Sequence, residues 1–249
     1  MSGKFSGLFI LRFMTLPFFY ISEFDTTQKE IVLDEDTSRH VVQVLRMKEG
    51  EQLNLTDGKG NLITAEITDA HKKHCVVKIE TISHEQQVAR KITIAISLLK
   101  NANRFEWFLE KATEIGVSEI VPLICQRTER QKFRYDRMKG ICISAMLQSQ
   151  QCWLPELHEP KQFNQLVIEQ LNDSQKLIAH CDEGNKQSLS NLHIGKFAHW
   201  LISIGPEGDF TRDEIKLALE NNFVPVSLGE TRLRTETAGI VAASLFCQV

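Results

Sequence analysis

The feature that most constrains this chain is a change of hydrophobic period near residue 85. From about residue 18 to 82 the apolar residues come in short runs, at 29–33, 52–56, 62–67 and 76–80, several of which alternate apolar with polar. Period two puts every second side chain on one face, the pattern of half-buried strands. Asp57-Gly58 and Gly60-Asn61 supply turn chemistry between two of these runs, as a hairpin requires. One insert breaks the pattern, because residues 38–46 set Val41, Val44 and Leu45 at helical spacing. The expected unit is a small β-barrel with one helix.

Beyond the polar stretch 83–87, strands alternate with helices. Runs at 91–99, 119–124, 176–180, 199–204 and 224–228 read as strands. Residues 103–115, roughly 135–151, a segment opened by Thr211-x-x-Glu214 and a last one from Thr235 read as helices. Asn103 followed by Glu106 reads as the cap of the first, and Gly116 as its stop. This order predicts an α/β class with a mostly parallel sheet. A chain of 249 residues accommodates two domains, expected at 14–84 and 90–249.

A hydrophobic share of 42% and a charged share of 24% describe an ordinary soluble chain. The net charge of −3 argues against nucleic-acid binding through the whole surface and directs attention to a local patch. Residues 127–139 provide one, with six basic residues against two acids and Phe133 and Tyr135 interleaved. Arg127, Arg130, Lys132, Arg134 and Arg137 there, with Arg39 and Arg46 of the first unit, suit phosphate contact, and the rings suit base stacking. The plain alternative is a solvated helix face.

Six cysteines are scattered without a C-x-x-C pair or companion histidines, so no metal and no redox dithiol is expected. Free thiols suit a reducing cytoplasm. Apolar runs at 8–11 and 16–21 imitate a signal peptide, but Arg12 interrupts them and no small-residue cleavage site follows. Neither a leader nor a membrane span is expected, and Met14 is an alternative start.

In a parallel α/β sheet ligands bind beyond the carboxyl ends of the strands. The loops after His180, Ile204 and Leu228 are therefore the places to look. Neither G-x-G-x-x-G nor G-x-x-x-x-G-K-[ST] occurs, which disfavours dinucleotide and P-loop readings. Gly205-Pro206-Glu207-Gly208 taken alone is a rigid turn.

Taken together, Ile204-Gly205-Pro206-Glu207-Gly208 and Leu228-Gly229-x-x-x-Leu233-Arg234-Thr235-Glu236-Thr237-Ala238 resemble the ribosomal small subunit methyltransferase E family. These are uracil-N3 methyltransferases of 16S ribosomal RNA in the SPOUT superfamily. His40-x-x-x-Val44-Leu45-Arg46, Lys111-Ala112-Thr113-Glu114-Ile115-Gly116-Val117, Gln148 and Pro155-Glu156 extend the likeness from about residue 18 to the end. Where many relatives read proline-arginine after Leu228-Gly229, this chain has Glu230-Thr231 and its arginine one place later, at Arg232.

The resemblance implies a PUA-like β-barrel, a SPOUT domain with a carboxyl-terminal trefoil knot, a homodimer, and 16S ribosomal RNA in the small subunit as partner. It also implies S-adenosylmethionine held by Ala179, His180, Gly205, Pro206, Glu207, Gly208, Leu228, Gly229, Leu233 and Thr235. Uracil N3 must lose a proton before it attacks a sulfonium methyl, so a cation that favours the anion and a proton acceptor are needed. Arg234 is the expected cation, with Glu207 and Glu236 as relays or orienting groups. The alternatives are a helix-entry salt bridge between Arg234 and Glu236, and a Glu207 that bonds only backbone amides. Rival functions are methylation of another RNA, such as transfer RNA, and noncatalytic RNA binding.

Overall fold

A computed structural model describes residues 16–129, 132–170, 173–192 and 197–247. Met14 and Arg130 lie outside the described residues. The chain splits into two compact units, one ending at His84 and the other running from Glu85, with the tip Gly58–Gly60 counted in the second.

The first unit carries strands β1 (Phe18–Tyr20), β2 (Glu30–Val32), β3 (Gln52–Thr56), β4 (Asn61–Asp69) and β5 (Val76–His84). They form one sheet in the order β1-β3-β4-β5-β2, with β1 parallel to β3 and the other pairs antiparallel. Leu53, Leu55, Ile63, Ala65, Ile67 and Val77 alternate inward and are fully buried. The single helix starts earlier than its apolar spacing predicts. Asp34 accepts the Thr37 amide at 2.8 Å and caps helix α1 (Glu35–Arg39). The backbone then widens into a π-helical turn over His40–Val44. That widening breaks the expected face: Val41 is buried, whereas Val44 and Leu45 are exposed.

The second unit holds strands β6 (Lys91–Ser97), β7 (Glu119–Ile124), β8 (Glu156–Leu157), β9 (Lys161–Gln162), β10 (Ser174–Ala179), β11 (Gln187–Ser188), β12 (His199–Ile204) and β13 (Val224–Ser227). Its helices are α2 (Ala102–Ile115), α3 (Tyr135–Gln148), α4 (Phe163–Ile168), α5 (Arg212–Glu220) and α6 (Thr235–Cys247). The strands lie in the order β11-β13-β10-β12-β6-β7-β8, with β9 beside β7, and every pairing is parallel. Burial on both faces explains the near-continuous apolar strand runs. Ile92, Ile94 and Ile96 pack with Phe105, Phe108 and Phe246 on the side of α2, α3 and α6. Ala95, Val121 and Leu201 point the other way, toward Phe163, Ile215 and Phe223 of α4, α5 and the turn that follows.

Helix α2 is capped by Asn101, whose side chain accepts the amide of Asn103 at 3.0 Å, not by Asn103 itself. Asn101 alone has the extended backbone an N-cap requires. Gly116 ends the helix with φ 93°, a left-handed conformation that glycine adopts without a Cβ penalty. The capping box at Thr211 and Glu214 forms on α5. Helix α6 sits close to α2 because Gly239 lacks a Cβ, which would lie 2.6 Å from the ring of Phe108.

Candidate functional site

Strand β10 lies between β12 and β13, with Ala179 level with Ile204 on one side and Val226 on the other. Three adjacent strands thus end together, and the loops that follow them enclose a cavity of about 690 Å³. That volume is in the range of small-molecule sites. Ala179, His180, Gly205, Pro206, Glu207, Leu228, Gly229, Leu233 and Thr235 all line it, as does Arg234.

Two sequence-derived candidates lie off the wall. Gly208 is turned away, its carbonyl accepting from Arg127 Nη1 at 2.6 Å. Glu236 is buried in the first turn of α6, with Oε1 3.6 Å from Arg104 Nε and Oε2 without a hydrogen-bond partner. Arg234 forms no ion pair among the described residues, and Glu236 pairs with Arg104 in place of the helix-entry bridge that is the alternative reading of Arg234.

The loops are fastened to one another. Thr235 Oγ1 donates to the Gly205 carbonyl at 3.0 Å, tying the start of α6 to the second loop. The Asp209 carboxylate accepts the Cys181 amide at 2.7 Å, tying the second loop to the first. Lys186 Nζ donates to the His180 carbonyl at 2.9 Å and closes the first loop on itself. Gly229, at φ 140°, bonds Ser227 through both its amide and its carbonyl. Glu207 Oε1 accepts the Lys100 amide at 3.3 Å, so part of its role is to bond a backbone amide.

Sequence reasoning missed Lys186, Asp209, Ser227 and Thr231 on the wall. Position at a strand end was the available signal, because Lys186, Asp209 and Thr231 lie on the three loops already singled out and Ser227 is the last residue of β13. Burial, with the nearby Lys186 ammonium, holds the His180 imidazole below its ordinary pKa. Its Nδ1 is buried and, among the described residues, unpartnered. A neutral ring at the wall does not repel a cationic ligand, and an orphaned buried nitrogen awaits a partner.

The basic residues are unequal. Arg137 is held by Glu106 in a two-pronged contact at 2.7 and 2.8 Å, and Arg39 by Glu35 at 3.0 Å. Phe133 and Tyr135 pack edge-on to each other, with Phe133 against Phe105 of the core. Arg46, Lys132 and Arg134 are exposed and, among the described residues, form no ion pair. No described helix is long and apolar enough to cross a membrane.

Residues 85–247 match the family model of RNA methyltransferase domains, and residues 33–80 that of RNA methyltransferase PUA domains. Over 209 residues the chain is 31% identical to ribosomal RNA small subunit methyltransferase E of Synechocystis sp., covering 82% of this chain and 68% of that protein. Among solved structures it is similar to a probable rRNA-methyltransferase from Porphyromonas gingivalis, with a TM-score of 0.84 and 40% identity, over 92% of this chain and 95% of that one. It is also similar to ribosomal RNA small subunit methyltransferase E from Neisseria gonorrhoeae bound to S-adenosyl methionine, with a TM-score of 0.82 and 29% identity, over 92% and 95%.

Proposed function

The chain belongs to the ribosomal RNA small subunit methyltransferase E family, and from that premise we propose that it methylates N3 of one uridine in 16S ribosomal RNA. It is an RNA methyltransferase that uses S-adenosylmethionine. The single observation that carries the finer reading is the cavity at three level strand ends, with an arginine on its wall that, among the described residues, no carboxylate neutralises. Its size, its neutral His180 and the orphaned Nδ1 fit this cofactor.

When bound, S-adenosylmethionine supplies an electrophilic methyl on a sulfonium. The chain's residues do the rest. Backbone groups of Gly205, Leu228 and Gly229 hold the cofactor, and Pro206 and Leu233 exclude water. Arg234 stabilises the uracil anion left when the N3 proton departs. Glu207, exposed at the wall, accepts that proton or orients the base edge. Glu236 acts through the start of α6, where Thr235 is tied to Gly205.

Phosphate contact falls to Lys132, Arg134 and Arg46, which are exposed and, among the described residues, free of ion pairs, with Arg39 beside them in role. Arg130 belongs to the same basic segment. The first unit serves as a PUA-like barrel that binds RNA. The assembly is a homodimer acting in the cytoplasm on the small subunit. A trefoil knot is supported by the strand order, since β10 lies between the later β12 and β13 while α6 returns to pack on β6.

Primer extension on ribosomal RNA tests the proposal. A strain lacking the gene should lose one stop at a uridine, and restoring the gene should bring it back. An unchanged pattern points to another RNA. Calorimetry that finds no S-adenosylmethionine binding points to a noncatalytic RNA-binding protein.

A further inference from the structure

Arg127 stands in the basic segment that suits phosphate contact and is exposed, yet its guanidinium is bonded to the loop after β12. Nη1 donates to the carbonyl of Gly208 at 2.6 Å and to that of Phe210 at 3.4 Å. These two carbonyls flank Asp209, whose φ of 63° is left-handed and unusual for a residue with a side chain. Asp209 in turn accepts the Cys181 amide at 2.7 Å and lines the cavity.

The turn that carries Arg127 is itself anchored. Thr128 Oγ1 accepts the Cys125 amide at 2.9 Å and bonds Ser97 Oγ of β6 at 2.9 Å. The Gln126 amide donates to Glu214 Oε1 at 2.8 Å, while the other oxygen of Glu214 accepts the Thr211 amide at 2.8 Å. Residue 126 thus reaches helix α5, residue 127 the second loop and residue 128 strand β6.

We infer that Arg127 is a positioning residue that locks the loop after β12 into its cofactor-binding shape, and that its guanidinium is not an RNA contact. The chain of cause runs from the guanidinium to two carbonyls, to the left-handed Asp209 between them, and to the Cys181 amide on the first loop. Charge-assisted bonds to carbonyls are what hold a strained residue in place. Without them Asp209 relaxes, its link to Cys181 opens, and two walls of the cavity separate. The inference rests on the reading of this cavity as the S-adenosylmethionine site.

Calorimetry with S-adenosylmethionine on the full chain provides the test, together with filter binding of a cofactor-free 16S ribosomal RNA fragment. Arg127→Ala should weaken cofactor affinity by about tenfold or more, the factor expected when a hydrogen bond to a charged group is lost. Its RNA affinity should stay close to that of the unsubstituted protein, and its melting temperature should fall by only about a few degrees, leaving a folded chain. Arg127→Lys should recover part of the loss, since an ammonium can serve one carbonyl, and Asp209→Ala should reproduce it. Unchanged cofactor affinity in Arg127→Ala, or a loss confined to RNA affinity, overturns the inference while leaving the cofactor reading intact. Absence of cofactor binding in the unsubstituted protein overturns both.

Discussion

The buried carboxylate of Glu236 meets the guanidinium of Arg104, 3.6 Å away on α2, and not that of Arg234 two residues before it. Among the described residues one carboxylate oxygen is left without a hydrogen-bond partner, so the charge depends on Arg104 and on the amino-terminal end of α6. Arg104→Ala should cost about 1–3 kcal/mol, because it strands a buried charge. Glu236→Gln removes that charge and should cost less, about 0.3–1 kcal/mol from the lost helix-end interaction. The double variant should be more stable than Arg104→Ala alone. Denaturant melts of the three proteins decide, and strictly additive losses would show that the two residues are not coupled.

Releasing Arg234 from that pairing leaves its charge for the cavity. Arg234→Ala should lower kcat by about 10²–10³, the usual effect of deleting a group that stabilises transition-state charge. Affinity for S-adenosylmethionine should change by no more than about threefold, since a group needed only in the transition state adds little to ground-state binding. Single-turnover methylation and calorimetry separate the two quantities. Full activity in this variant refutes the assignment.

The two glycines of the second loop differ in a way that sequence hides. A Cβ on Gly205 would lie 3.0 Å from the Phe210 ring and 3.1 Å from its amide, whereas one on Gly208 would only touch the Arg127 stem at 3.4 Å. Gly205→Ala should therefore cost about 1–3 kcal/mol by overpacking and weaken cofactor binding, while Gly208→Ala should be nearly neutral. Thermal melts with and without cofactor compare them directly. Equal losses at both positions would contradict the crowding seen around Gly205.

Periodicity made the parallel sheet legible, because strands buried on both faces must read as apolar runs and amphipathic helices must alternate with them. Loop positions after β10, β12 and β13 were legible for the same reason. What periodicity cannot carry is a choice between neighbours set by backbone angles or distant partners. Asn101 and Asn103 are both good caps by composition, and only the extended backbone of Asn101 decides. Val44 and Leu45 fit a helical stripe until the π-helical turn rotates them outward. Arg127 reads as one of six basic residues, while its partner Gly208 is 81 positions away.

The thiols differ in reactivity for a physical reason. Burial pushes Cys125 up to about 12 and Cys75, Cys142 and Cys247 up to about 11, so these remain protonated near neutral pH. Cys181 is exposed and lines the cavity. An aromatic disulfide reagent at mildly alkaline pH should modify Cys181 first, and S-adenosylmethionine should slow that reaction. Peptide mapping identifies the labelled residue. Fast labelling of Cys125, or no protection by the cofactor, would count against the described loop packing.

Toward the amino-terminal ends of β6, β7 and β12 a buried polar chain should make stability depend on acid. His199 Nε2 lies 2.8 Å from Thr93 Oγ1, and Thr93 donates its hydroxyl proton to Glu119, so His199 must supply the Nε2 proton in its turn. Glu119 also accepts from His158 at 2.6 Å and lies 3.1 Å from Lys91. Burial raises the Glu119 carboxyl, but Thr93, Lys91 and His158 together outweigh it and hold the group below its ordinary 4.5. Burial holds the His199 imidazole below its ordinary 6.5 despite the nearby Glu119 charge. Both folded values are depressed, so the unfolded chain binds more protons at acid pH, and stability falls as pH falls. The loss should begin near pH 6.5 through His199, with His180 acting in the same direction, and continue below pH 4.5 through Glu119. Melting temperatures measured from about pH 8 to 4 should decline in those two windows. His199→Gln should flatten the upper one and Glu119→Gln the lower, and a profile unmoved by either substitution rules the chain out as its cause.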